Sequence, residues 1–288
     1  MNKPEVKLTT NEHGYLIRKV CELISEVEIG SQSRFIFTNS FSFCNIPNHN
    51  DYKKNPNKVI SNELSGINSL RNEGLYCQSL HGWKRYFIFN HIAINLIEDV
   101  TEEAGQNSIW SAALALTSYI ELNQNEFCNK RILELGAGCG IVSFALSFLS
   151  DDNQITATEQ PSCLPYLRRN LKLNPDLINS NNNLEIKSLY WDTNEYKDEP
   201  YDIILGCDIT YNPLLFEDLI CTIYNRFNKN GKSYALLCHD NDSCPLSKLA
   251  EVKLHDTIKK FKMKMIRIKL EKNSFYEENI VLWKLILE

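Results

Sequence analysis

The stretch Arg131-Ile-Leu-Glu-Leu-Gly-Ala-Gly-Cys-Gly140 decides the fold: an apolar strand runs into glycines at 136, 138 and 140, and the apolar run Ile141 to Leu149 follows at once. Glycine permits sharp turns and close approach of the backbone to a ligand, and a helix start presents N–H groups that lack an intrahelical acceptor. Strand, glycine turn and helix together predict a nucleotide-like ligand at the carboxyl end of the strand. The spacing is Gly-x-Gly-x-Gly rather than Gly-x-Gly-x-x-Gly, which disfavours the pyrophosphate turn of NAD- and FAD-dependent enzymes. Glu134, two places before Gly136, is awkward beside a pyrophosphate and suits a ligand that carries an ammonium and a sulfonium charge. Glu134, Gly136, Gly138 and Gly140 are therefore candidate cofactor-binding residues.

Downstream of this turn, apolar runs near 131–135, 154–159, 184–189, 201–207 and 233–238 alternate with helical patterns near 140–149, 162–173 and 214–227. Such alternation builds βαβ units and a parallel sheet. After a further helix near 246–260, residues 262–270 and 279–287 alternate in polarity and read as a closing antiparallel hairpin. The expected fold is α/β: a Rossmann-like, doubly wound seven-stranded sheet closed by that hairpin. Upstream, apolar spacing predicts a helix from Trp110 to Leu122, and the runs Arg85 to Phe89 and Ile92 to Ile97 predict a β-hairpin turning at Asn90-His91. Leu16, Ile17, Val20, Leu23, Ile24 and Val27 predict an N-terminal helix over 12–28, followed by an Asn-, Ser- and Gly-rich loop over 38–74. The chain thus reads as an extension, residues 1–74, and a main domain with a leading hairpin, residues 75–288. No internal repeat is present, and Asn179-Ser-Asn-Asn-Asn reads as a loop insertion.

In a doubly wound sheet ligands bind outside the carboxyl ends of the strands, so the other strand ends supply further candidates. Glu159 ends the second strand, 23 residues after Gly136 (159 − 136), where its carboxylate can accept from both hydroxyls of a ribose. The alternative is a solvated strand-end charge. Tyr190-Trp191-Asp192 follows the third strand, where an aromatic can flank an adenine and Asp192 can accept from its exocyclic amine; Trp110, at the start of its helix, has a similar claim. For both tryptophans the alternative is plain core packing. The fourth strand ends Gly206-Cys207-Asp208-Ile-Thr-Tyr211-Asn-Pro213. Cys207 is counted with the cofactor-binding residues, and Asp208 and Tyr211 as the catalytic pair where an acceptor approaches, unless Asp208 merely caps the turn that Pro213 opens.

Net charge of −5 and a pI near 5.8 leave no broad basic surface for a phosphate backbone, so nucleic acid is disfavoured as a partner. The ten cysteines are scattered without a Cys-x-x-Cys or Cys/His cluster, which predicts reduced thiols and no metal site. Cys139, Cys207, Cys221 and Cys238 lie within apolar segments and are expected to pack as small hydrophobes. The apolar runs are shorter than the ~20 residues of a membrane span, and the first residues read as neither a secretory signal nor a transit peptide. The expected address is the cytosol, with the nucleus as a second compartment, and the expected state is a monomer.

Glu-Leu-Gly-Ala-Gly-Cys-Gly at 134–140, Leu-Tyr-Trp-Asp at 189–192, Leu-Gly-Cys-Asp-Ile-Thr-Tyr at 205–211 and Trp-Ser-Ala-Ala at 110–113 resemble the seven-β-strand protein methyltransferases called family 16, near the methyltransferase-like 21 group. The resemblance covers about residues 75–287 and is most specific in Asp-x-x-Tyr after the fourth strand. It implies that Trp110, Gly136, Glu159 and Trp191 line an S-adenosylmethionine site and that Asp208 and Tyr211 stand on the acceptor side. It also implies methylation of a lysine in a protein substrate. Other acceptors remain open at this point: a protein N-terminus, histidine, arginine or a small metabolite. So does a non-catalytic binding module of the same fold.

Overall fold

The computed structural model describes the strand residues 35–36, 75–79, 82–89 and 92–98, and then residues 108–179, 183–191, 199–229, 232–241, 246–270 and 279–288. The expected helix at 12–28, the loop at 38–74, residues 180–182 of the insertion at 179–183, and Asp192 lie outside the described residues. The chain divides into two compact units, Met1–Ile97 and Glu98–Glu288.

In the first unit, the expected hairpin belongs to a larger sheet. Strands β1 (Phe35–Ile36), β2 (Leu75–Ser79), β3 (Gly82–Phe89) and β4 (Ile92–Glu98) lie in the order β1-β2-β3-β4, with β1/β2 and β2/β3 antiparallel. Strand alternation at 85–97 identified only the β3–β4 pair. A two-residue strand such as β1 has no pattern to detect.

The second unit carries the seven-stranded α/β sheet. Its elements run α1 (Ser111–Leu122), α2 (Gln124–Phe127), β5 (Arg131–Leu135), α3 (Ile141–Leu149), β6 (Gln154–Glu159), α4 (Leu164–Lys172), α5 (Pro175–Asn179), β7 (Leu184–Ser188), β8 (Ile203–Cys207), a 3₁₀ turn (Pro213–Leu215), α6 (Phe216–Arg226), β9 (Tyr234–Asp240), α7 (Lys248–Lys260), β10 (Met263–Ile268) and β11 (Ile280–Leu287). Sheet order is β10-β11-β9-β8-β5-β6-β7. Strands β7, β6, β5, β8 and β9 are parallel, and β11 runs antiparallel between β9 and β10.

Burial explains the patterns. Ile132, Leu133 and Leu135 of β5, Ile203 to Leu205 of β8 and Ala235 to Cys238 of β9 are buried on both faces, as central parallel strands require. The edge strands read differently: β7 carries Glu185 and Lys187, and β10 carries Lys264 and Arg267, charges that discourage further strand pairing. Helix α3 is buried from Ile141 through Ser147, so its run of apolar residues is a core helix. The expected strand at 201–207 begins two residues late, because Tyr201 makes only an isolated bridge to Phe227. The expected helix at 214–227 is a 3₁₀ turn continued by α6, since Asn212 caps the turn by accepting from the Leu214 N–H at 3.0 Å and Pro213 follows it. Among the described residues no helix is long and apolar enough to cross a membrane.

After β5 the chain moves outward to β6 and β7, then crosses back to β8 on the other side of β5. That reversal opens a crevice at the carboxyl ends of β5 and β8, paired in parallel up to Leu135 opposite Gly206.

Candidate functional site

A cleft of about 240 Å³ occupies that crevice. Its floor is the glycine turn. Gly136 has φ +64, and a Cβ there would stand 2.8 Å from Cγ2 of Ile209, so both conformation and space call for glycine. Gly138 also lines the cleft and donates its N–H to Oε1 of Glu159 at 3.0 Å. Gly140 does not line it. It is the left-handed N-cap of α3, φ +94, where a Cβ would meet Leu167 Cδ1 at 2.6 Å and Phe144 Cζ at 2.7 Å. Its contribution is to let α3 start close against Leu167 of α4.

Two glutamates stabilise this turn from strands β5 and β6. Glu134 is 2% exposed, and its Oε2 accepts from the Ser143 N–H at 3.0 Å and from the Ser143 hydroxyl. A carboxylate there caps the first turn of α3 and meets the positive end of its dipole. Burial nevertheless pushes the Glu134 carboxyl up to about 7, against the pull of both Ser143 donors. Glu159 accepts from Gly138 with Oε1 and from the Gln160 N–H with Oε2 at 2.8 Å; burial raises its pKa and these two amides lower it. Both glutamates line the cleft. Ser143 and Gln160 were not singled out from the sequence, where nothing distinguishes them from other polar residues beside an apolar run.

The opposite wall follows β8. Cys207 lines the cleft, but burial drives its thiol well above the usual range, so it remains protonated and serves as a neutral wall. Asp208 has φ +50, a left-handed conformation that Asp adopts more readily than most residues. Its carboxylate does not cap the following turn, a role Asn212 takes. Instead Oδ1 accepts from the Asp240 N–H at 2.8 Å and lies 3.5 Å from Nδ1 of the buried His239, which in turn is 3.1 Å from the Thr210 hydroxyl. Oδ2 is buried without a hydrogen-bond partner. Burial pushes the Asp208 carboxyl up to about 6; the charge of Asp240 adds to this, while the amides of Asp240 and Ala112 oppose it. A backbone held at positive φ with a buried, incompletely paired carboxylate is the kind of arrangement that collects at functional sites.

Aromatic side chains form the rim. Trp110 is 39% exposed, Tyr190 54% and Tyr211 51%, and all three line the cleft together with the partly buried Trp191. Trp110 is therefore not core, and Trp191 packs against the core while facing the cleft. Just before Trp110, the Ile109 N–H donates to Oε1 of the buried Glu98 at 2.6 Å. Asp218, in the first turn of α6, also lines the cleft. The sequence offered only a helix-start acid there, with no signal as to which way it faces. Among the described residues no group of three or more His, Cys, Asp or Glu could hold a metal ion.

A sequence model of the family described as lysine methyltransferase matches residues 88–252 of the chain. The chain is 35% identical to EEF1A lysine methyltransferase 3 of Xenopus tropicalis over 42% of its own length and 56% of that protein's. It is 30% identical to protein N-lysine methyltransferase METTL21A of Xenopus tropicalis over 55% of its own length and 69% of that protein's. The match to the first of these thus spans little more than half of that relative. Among solved structures, the fibrillarin pre-rRNA processing protein of Methanococcus jannaschii superposes with a TM-score of 0.46 at 15% identity, over 73% of this chain and 96% of that one.

Proposed function

We propose that this chain, which belongs to the lysine methyltransferase family, transfers methyl groups from S-adenosylmethionine to the side-chain amine of a lysine in another protein. The observation that carries the reading is the acidic lining of the cleft, with Glu159, Asp208 and Asp218 joined by the partly protonated Glu134 and, among the described residues, no lysine or arginine. Such a lining attracts a ligand bearing a sulfonium and an ammonium and repels a pyrophosphate, which argues against a dinucleotide. When bound, S-adenosylmethionine supplies a methyl group on a positively charged sulfur that a nitrogen lone pair can displace.

The residues divide the work. Each Glu159 oxygen accepts one backbone N–H and keeps acceptor capacity for a ribose hydroxyl. Trp110, Tyr190 and Trp191 offer flat apolar surface for an adenine ring. A lysine in water has a pKa of about 10.4 and is protonated at neutral pH. Desolvation in the cleft lowers that value, so the ammonium loses its proton to water before the nitrogen attacks. Asp208, titrating at about 6, is mostly ionised at pH 7, and its Oδ2, buried without a hydrogen-bond partner, has the capacity to accept an N–H of the amine and orient the lone pair. The Tyr211 hydroxyl at the rim offers a second polar contact. The protein's contribution is mainly alignment, which is worth several kcal/mol in well-oriented reactions.

The printed names of the relatives, one of them carrying EEF1A, support a protein lysine as acceptor. Cys139, Cys163 and Cys238 are buried thiols, which supports a reducing compartment such as the cytosol or nucleus. Incubating the purified chain with tritiated S-adenosylmethionine and a cytosolic lysate, followed by gel fluorography, tests the reading. A labelled band that disappears with Asp208→Asn supports it. Cofactor binding by calorimetry without any labelled protein shifts the acceptor to a small molecule.

A further inference from the structure

The acidic residues of the cleft are not equally occupied. Glu134 is committed to Ser143, Glu159 to the amides of Gly138 and Gln160, and Asp208 Oδ1 to the amide of Asp240. Asp218, which is only partly buried, makes no hydrogen bond or ion pair with any described residue. In the same cleft the Asp208 side chain is 5% exposed, yet its Oδ2 is buried without a hydrogen-bond partner. Asp218 thus presents to the cavity a carboxylate that no described residue neutralises, and the same lining holds the incompletely paired Asp208. Asp218 lines the cleft together with Tyr211 and Leu215, which like it follow β8 in the chain. A helix-start acid needs no further explanation when it faces solvent. One that faces a cleft with no cationic side chain among the described residues of its lining, which also holds Asp208, calls for a cation from outside.

We propose that Asp218 is the recognition residue for the acceptor: it receives the lysine as an ammonium at the cleft mouth and guides it toward Asp208. The assignment deepens the lysine-methyltransferase reading and rests on it for the identity of the acceptor. It narrows the substrate class to an extended side chain that arrives cationic, and excludes a neutral hydroxyl or carboxylate acceptor at this wall. Asp218 meets the ammonium before its proton is shed deeper in the cleft, so its effect falls on acceptor binding rather than on the rate of transfer.

The test is calorimetric titration of the protein, saturated with S-adenosylhomocysteine, with Nα-acetyl-lysine methylamide and separately with its neutral analogue Nα-acetyl-norleucine methylamide. The lysine probe is expected to bind the wild type more tightly than the norleucine probe, and to weaken as salt is raised. Asp218→Asn should weaken the lysine probe about tenfold, leaving the norleucine probe and S-adenosylhomocysteine unchanged, and Asp218→Glu should restore most of the loss. Equal binding of the lysine probe by wild type and Asp218→Asn, or no preference for lysine over norleucine in the wild type, overturns the proposal. Failure of the protein to bind S-adenosylhomocysteine overturns the cofactor reading instead, and the lysine titration without it still judges Asp218.

Discussion

The two walls of the cleft are built to different standards of completeness. On the wall of β5 and β6, Glu159 has given each oxygen to a backbone amide, Glu134 holds Ser143, and the Ala137 N–H reaches the Thr158 carbonyl at 2.9 Å. On the wall of β8 and α6, Asp208 sits at positive φ with Oδ2 unpaired, Tyr211 is half exposed, and Asp218 has no partner among the described residues. A wall whose polar groups are satisfied internally is already shaped before any ligand arrives, which suits a cofactor of constant form. A wall left unsatisfied carries a desolvation cost that an incoming donor relieves, which suits a variable acceptor. The walls should therefore fail differently when broken.

The largest difference is expected at Asp208. Asp208→Asn keeps a short side chain that tolerates positive φ and can still accept from the Asp240 amide, but it removes the charge that orients the amine. Turnover should fall about a thousandfold, roughly 4 kcal/mol of transition-state stabilisation, with the S-adenosylmethionine Kd within twofold of wild type. A mutant that loses cofactor affinity in parallel with turnover would mean that the two walls are not separable. Next comes Gly140→Ala on the prebuilt wall. Left-handed backbone costs a residue with a Cβ about 1–2 kcal/mol, and contact with Leu167 and Phe144 adds overpacking, so urea unfolding should show a loss of about 3 kcal/mol. An unchanged midpoint would mean that α3 can shift to make room. Smaller again is Glu159→Gln, which turns an amide NH₂ toward one of the two backbone N–H groups. Cofactor Kd should rise about 30-fold, close to 2 kcal/mol, while the maximal rate at saturating cofactor changes little.

The same division explains what the sequence revealed. Seven strands and their parallel-then-antiparallel order were legible because central strands buried on both faces leave continuous apolar runs, while the hairpin of β10 and β11 leaves alternation. Gly136 was legible because the positive φ of its turn is a local need for glycine, although its contact with Ile209 is not. The partners of the carboxylates were not. Nothing within a few residues of Glu134 announces that Ser143, nine positions later, will close on it; that contact exists only once β5 and α3 have folded against each other. Asp208 could be placed at a strand end, but the choice between capping the next turn and holding the Asp240 amide depends on β9, which lies 32 residues on and pairs with β8. Asp218 was hidden for a related reason. The helix pattern of α6 fixes which residues face the core, and an acid on the remaining surface reads the same whether it meets solvent or a cleft.

The smallest expected effect tests whether the finished wall carries a cost of its own. Glu134 titrates at about 7 in the folded chain, against 4.5 for an unperturbed glutamate, because burial penalises its charge more than Ser143 rewards it. A carboxyl whose folded pKa lies above its unfolded value gives stability that is fully present below the unfolded pKa and is lost as pH rises through the folded one. Between pH 6 and pH 8 the unfolded chain is already deprotonated at this site, while the folded chain releases its proton. The wild type should therefore lose about 1.4 kcal/mol of stability over that interval from this group. Glu134→Gln keeps an oxygen to accept from the Ser143 amide and cannot ionise. Its urea-unfolding free energy should fall less steeply from pH 6 to pH 8, by about that amount, with the contribution of Asp208 common to both proteins. Parallel pH profiles would mean that Glu134 is ionised throughout, and the wall of β5 and β6 would then hold a buried charge rather than a proton.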